Sequence, residues 1–292
     1  MSPAVLALVL TGAACHAVWN IMAKRVAGGV AFVWLFGCVS VALTLPVALW
    51  MGWAHPDQAF DLRMALAAFA SGLLHVVYSL VLQRGYRVGD FAVVYPVARG
   101  TGPLLSVMGA VVLMGESPGL LGWLGMALVV GGLFLTAGGL DALTARGGDV
   151  SRRRQGALWG VLTGLCIAGY TVLDGWAVRT LGMSPVLYYA AGLLCRTVLL
   201  APWAWRLRGT LGGEWRQHRN AILTVGALSP LAYLLVLLAI QHAPLSHVAP
   251  VREVSMLIGT LLGARLLKET LRVSQVAGAS LMLIGVASLA LA

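Results

Sequence analysis

Charge is what this sequence has least of. Only 10% of its 292 residues are Asp, Glu, Lys or Arg, against about 25% in a soluble globular domain. Hydrophobic residues make up 60%, and the mean hydropathy is +0.89. Such a chain is too apolar to fold in water. Cysteine is sparse as well. Cys15, Cys38, Cys166 and Cys195 all lie inside apolar runs and no C-x-x-C occurs, so neither a disulfide framework nor a zinc site is implied and the thiols read as buried. Segments of alternating polarity are missing, which argues against a membrane barrel. No polar stretch is long enough for a separate soluble domain. The apolar runs hold no metal constellation, nucleophile pair or phosphate loop, so no enzyme and no cofactor is read from them. The N-terminus lacks a basic region and a small-residue cleavage site, so its first apolar run reads as a span and not as a removed signal.

What is present is a series of apolar runs, each about 20 residues long and able to cross a bilayer as a helix. Ten fall near 3–23, 30–53, 63–83, 88–114, 119–140, 155–178, 184–205, 220–241, 245–267 and 273–292. The longest polar stretch, "DALTARGGDVSRRRQ" at 141–155, divides them into two sets of five. The halves resemble each other. A shift of 153 places Arg99 on Arg252 and Glu116 on Glu269, while Pro96 and Pro250 lie 154 apart, one residue out of step. "CHAVWNIMAKR" in the first helix reads weakly against "CIAGYTVLDGW" in the sixth. A repeat with an odd number of spans inserts its second copy upside down, the plan of many secondary transporters. The expected fold is therefore all-α and membrane-integral, with ten transmembrane helices in two inverted five-helix repeats. The expected division is 1–141, a basic connecting loop at 142–155, and 156–292.

These residues carry a family resemblance. A Gly-Glu or Lys-Glu step opens the fifth and tenth helices (Gly115-Glu116, Lys268-Glu269), followed by the glycine-spaced "GMALVVGGLFL" and "GASLMLIGVASL"; "GYTVLDG" marks the sixth helix. The pattern resembles the ten-helix EamA branch of the drug/metabolite transporter superfamily, over the whole chain. That resemblance implies an exporter or importer of amino acids, nucleosides, sugars or amines, and leaves the substrate open.

The loop charges orient the chain. Of its twenty Lys and Arg, fifteen lie in the loops after odd-numbered spans, only Arg63 and Arg179 lie on the opposite side, and Arg99, Arg196 and Arg252 sit inside spans. The net charge of +10 is thus a topology signal and does not point to nucleic acid. It predicts a bacterial-type cytoplasmic (inner) membrane protein with the fifteen-charge side, here side B, inside and both termini on side A, outside. Many members of the resembled branch show the opposite bias.

The buried charges are the candidate site. An arginine at mid-membrane costs at least about 2.5–3.5 kcal/mol unless it meets water or a partner. Arg99 lies about 16 Å along its helix from side B, near half of the ~30 Å hydrocarbon thickness. Arg252 reaches a similar depth from the opposite direction. Pro96 and Pro103 near Arg99, and Pro250 near Arg252, are expected to interrupt both helices. Paired guanidiniums suit carboxylate, phosphate or phosphonate. Two other readings stay open: Arg99 locks against Glu253, or Arg252 and Glu253 act separately. His16 and Asn20 share a face of the first helix. With Tyr78 and Tyr170 they are candidate substrate contacts or interhelical hydrogen bonds. Tyr233 is placed on the opposite wall, Asp174 reads as an interfacial cap, and Arg196 as structural. Glu116 and Glu269 read as helix-start carboxylates. The expected partners are a small-molecule substrate and membrane lipid, for a monomer or homodimer. The expected function is transport of a small anionic or zwitterionic metabolite. Cation or drug efflux, and a membrane scaffold or receptor without transport, are the alternatives.

Overall fold

A computed structural model describes residues 1–26, 29–58, 60–89, 91–137, 150–267 and 273–292. Glu269 and the Lys268-Glu269 step lie outside the described residues, as does most of the connecting loop. Among the described residues ten helices follow in order: α1 (Pro3–Val26), α2 (Val30–Ala54), α3 (Leu62–Val88), α4 (Phe91–Met114), α5 (Gly119–Thr136), α6 (Val150–Gly175), α7 (Pro185–Arg206), α8 (Arg208–His242), α9 in two segments (Leu245–Arg252 and Val254–Leu267) and α10 (Val273–Leu291). Among the described residues no strand occurs. Nine of these helices are long and apolar enough to cross a membrane. Large apolar side chains such as Leu49, Val112, Leu113, Leu120 and Val198 are mostly exposed, as lipid-facing residues must be. The chain is a multi-pass helical membrane protein.

The packing is that of two repeats related by a twofold exchange. Helix α4 packs on α6, and its counterpart α9 packs on α1. Helix α3 packs on α6, and α8 on α1; α2 meets α8, and α7 meets α3. The pairs α2–α7 and α5–α10 map onto themselves. The glycine-spaced stretches bring α5 and α10 together: a Cβ on Gly132 would stand 2.5 Å from the Gly278 carbonyl oxygen. No side chain fits there, so the two backbones touch.

Three boundaries differ from the sequence reading. Helix α4 runs unbroken through Pro96 and Pro103, although each ring removes an N–H. Pro250 likewise lies inside the first segment of α9, which ends two residues further on at Arg252. Helix α6 starts at Val150 and takes in part of the expected loop; it ends in a π-helical turn over Trp176–Thr180. Helix α8 begins twelve residues before the expected span, with a kink at His218 (φ −123°, ψ 16°). Its first segment carries the exposed Arg208, Arg216 and Trp215 at side B.

The largest buried apolar cluster gathers Val5, Val9, Leu187, Leu237, Ile240 and Leu245. These residues come from the side A ends of their helices. This cluster therefore lies toward side A.

Candidate functional site

The break in α9 creates the site. Pro250 has no N–H, and the Glu253 N–H bonds the Pro250 carbonyl three residues back at 3.0 Å. This tight turn separates the two segments and leaves Arg252 and Glu253 at the junction. Glu253 is 2% exposed and Arg252 8%. Arg99 comes to them from the middle of α4. Its Nη1 donates to Glu253 Oε2 at 3.3 Å, and Arg252 Nη2 donates to Glu253 Oε1 at 3.5 Å. One carboxylate thus bridges two guanidiniums, and the cluster keeps one net positive charge. Both contacts are single and long compared with the 2.7–2.9 Å usual for charged pairs. The Arg99 side chain keeps 22% of its surface accessible.

Aromatic rings form the walls. Arg99 lies 5.7 Å from the centroid of the Tyr95 ring. Tyr170 stacks on His75 at 4.1 Å, and Tyr78 meets Tyr170 edge-on at 5.9 Å. Tyr233 packs edge-on against His75 and beside Tyr189. Tyr78 and Tyr170 both lie within electrostatic reach of Arg99, Arg252 and Glu253. His16 is in reach of the two arginines and has Trp19 edge-on at 4.8 Å. Asn20 is half-buried one turn further along α1. The structure thus joins Arg99, Arg252 and Glu253 in contact, with His16, Tyr78 and Tyr170 in reach of these charges. The Arg99–Glu253 contact foreseen as one option forms, and Glu253 contacts Arg252 as well. Sequence reasoning passed over Tyr95, although it sits four residues from Arg99 on the same helical face.

A second polar cluster closes side A. Gly115 (φ +69°) ends α4 in the left-handed conformation, and the chain turns so that Glu116 leaves its own helix. The Glu116 carboxylate accepts the Leu245 N–H on Oε1 and the Ser246 N–H on Oε2, both at 2.8 Å. It caps α9 from the opposite repeat and does not cap α5, which starts at Gly119. Arg179 Nε stands 3.9 Å from Glu116 Oε1, and Arg179 Nη1 donates to the Ile240 carbonyl at 3.1 Å. The loop after α4, the turn after α6 and the α8–α9 junction are tied at one point.

Asp174 is not an interfacial cap. It is 1% exposed, and the Tyr188 hydroxyl donates to its Oδ1 at 2.6 Å while the Tyr233 hydroxyl donates to its Oδ2. It forms no ion pair with Arg196 among the described residues. Arg196 instead lines a small cavity with Ser71, His75, Tyr188 and Tyr189. Sequence reading could not find this triad, because its members come from three helices.

The helices pair by exchange around a broken helix and a charged centre. Residues 154–291 match the model of the EamA-like transporter family. The match covers the second half of the chain and agrees with the resemblance carried by its motifs. A solved crystal structure titled only "Crystal structure of protein" superposes with a TM-score of 0.74, covering 100% of this chain and 98% of its own at 16% identity. That likeness extends the fold over both halves. No curated protein matches the chain in sequence.

Proposed function

We propose that the chain is a secondary transporter of a small anionic or zwitterionic metabolite, of the amino acid, organic phosphate or phosphonate class. It works by alternating access around the Arg99–Glu253–Arg252 centre. One observation carries the substrate class: two guanidiniums, Arg252 buried and Arg99 partly accessible, share a single carboxylate. Each spends one donor on Glu253 out of the five a guanidinium offers. An anionic group entering between them meets unspent donors and the uncompensated charge. His16, Asn20, Tyr78 and Tyr170 then supply hydrogen bonds around the rest of the ligand. An amino group on a zwitterion finds the faces of Tyr78, Tyr95 and Tyr170.

The apolar cluster and the Glu116–Arg179 tie support a state closed on side A. Access from that side requires Glu116 to release the start of α9, the segment that carries Arg252 and Glu253. Gate and site are then two ends of one eight-residue helix. From the loop charges, side B faces the cytoplasm of a bacterial-type inner membrane.

Uptake by purified protein in liposomes tests the reading. Preloaded unlabelled amino acids, organic phosphates, phosphonates, nucleosides or amines are exchanged against tracer. Saturable counterflow of an anionic or zwitterionic member is the expected result. Counterflow of amines alone would favour cation efflux, and its absence across the panel would favour a scaffold or receptor.

A further inference from the structure

We propose that the first segment of α8, residues 208–218, is an interfacial helix that binds the headgroups of anionic phospholipids at side B, with Arg208 and Arg216 as the phosphate contacts. The segment stands apart from the bundle. Leu207 (φ −101°, ψ 14°) separates it from α7, and the kink at His218 divides it from the span that follows. No residue from Trp205 to Asn220 is buried, whereas Ala221, Ile222, Val225 and Gly226 beyond the kink are. An isolated helix of this length is marginal in water, and Gly209, Gly212 and Gly213 weaken it further. It needs a surface to lie on.

Its two faces describe that surface. Residues four apart share a face of a helix. Leu207, Leu211 and Trp215 therefore form one stripe, and Arg208, Gly212 and Arg216 form the next, about 100° around the axis. Leu207 and Trp215 are exposed, as are Trp203 and Trp205 in the last turn of α7. A segment with Trp and Leu on one side and Arg on the other lies in the plane of the membrane interface. Its apolar side is set into the acyl boundary and its charges meet the headgroups.

The charge selects the lipid. Residues 206–219 carry Arg206, Arg208, Arg216 and Arg219 against a single carboxylate, Glu214. Among the described residues neither Arg208 nor Arg216 makes an ion pair. Arg216 Nε donates to the Gly212 carbonyl one turn back at 3.2 Å, which leaves its two Nη groups to take phosphate. The Arg208 guanidinium lies 5.4 Å from the centroid of the Trp205 ring, a contact that uses the charge and not the N–H donors. Exposed forked donors suit phosphate oxygens, and an anionic headgroup supplies the negative charge that this segment lacks.

The test places the full chain in nanodiscs of phosphatidylcholine alone, or of equal parts phosphatidylcholine and phosphatidylglycerol. Amide hydrogen exchange is read over residues 208–217, with residues 222–226 as the internal control. An arginine at an anionic surface contributes about fivefold, so Arg208 and Arg216 together contribute about 25-fold. Wild-type amides should exchange slower in the mixed bilayer by at least about that factor, and Arg208→Gln with Arg216→Gln should give it back. Leu211→Ser with Trp215→Ser removes the apolar stripe and should speed exchange in both bilayers. Equal wild-type rates in the two bilayers, full protection in the double arginine variant, or unchanged exchange in the double serine variant would overturn the proposal. So would equal protection by inorganic phosphate added to phosphatidylcholine discs, which makes the ligand a free anion. Protection confined to discs that hold two chains would overturn it as well, because the occupant is then a second copy. No substrate is involved, so failure here leaves the transport reading standing, and failed counterflow leaves this surface standing.

Discussion

Replacing Glu116 by Gln tests whether the side A tie is a gate. The change keeps the shape and removes the charge. In the native protein each carboxylate oxygen takes one backbone N–H at the start of α9, both at 2.8 Å. Gln offers one acceptor and turns an NH2 group toward the second N–H, leaving that donor unsatisfied at about 1–3 kcal/mol. Loss of the anion at a helix N-terminus adds roughly 0.3–1 kcal/mol. Together these weaken the hold on α9 by about 1.5–4 kcal/mol. In hydrogen exchange the Leu245 and Ser246 amides should then open roughly 10- to 700-fold faster, since every 1.4 kcal/mol is tenfold. Amides in α2, far from the tie, serve as the internal control. Unchanged exchange at Leu245 and Ser246 would refute the reasoning, because the two bonds would then carry no energy.

Other changes probe the frame. Gly132→Ala places a Cβ 2.5 Å from the Gly278 carbonyl oxygen and should cost about 1–3 kcal/mol by overpacking, read as a lower melting temperature. Gly100→Ala, with nothing within 4 Å of its Cβ, should leave melting unchanged or raise it. A reporter active only in the cytoplasm, fused after Ala292, should be silent if both termini face outward, and the same reporter in the Arg152–Arg154 loop should be active.

The fold was legible because its signals are covalent and local. Apolar length marks helices, and the Arg99/Arg252 register marks the repeat. Pro250 pointed to an interruption of α9, and the break falls three residues beyond it, at Glu253. Pro96 and Pro103 carry the same covalent change, yet α4 stays whole; whether a helix bends at proline depends on its neighbours, and these are not written nearby in sequence. The same limit hid the Asp174–Tyr188–Tyr233 triad and the destination of Glu116. The residue type correctly suggested a helix N-terminus for Glu116. Only the tertiary packing showed that the helix belongs to the opposite repeat.

The central claim is that the Arg99–Arg252 pair receives an anionic group, and the binding affinity of Arg99 variants tests it most directly. Affinity for whichever amino acid, organic phosphate or phosphonate undergoes counterflow is measured together with melting, for wild type, Arg99→Lys, Arg99→Ala and Arg99→Ala with Glu253→Gln. Lys keeps the charge and loses the forked donors, so Arg99→Lys should bind more weakly while melting near wild type. Arg99→Ala should lose about 2–5 kcal/mol of binding. A lock alone predicts the reverse: Arg99→Ala destabilises by freeing Glu253, the added Glu253→Gln restores melting, and affinity is untouched. Wild-type affinity in a destabilised Arg99→Ala protein would contradict the anion site.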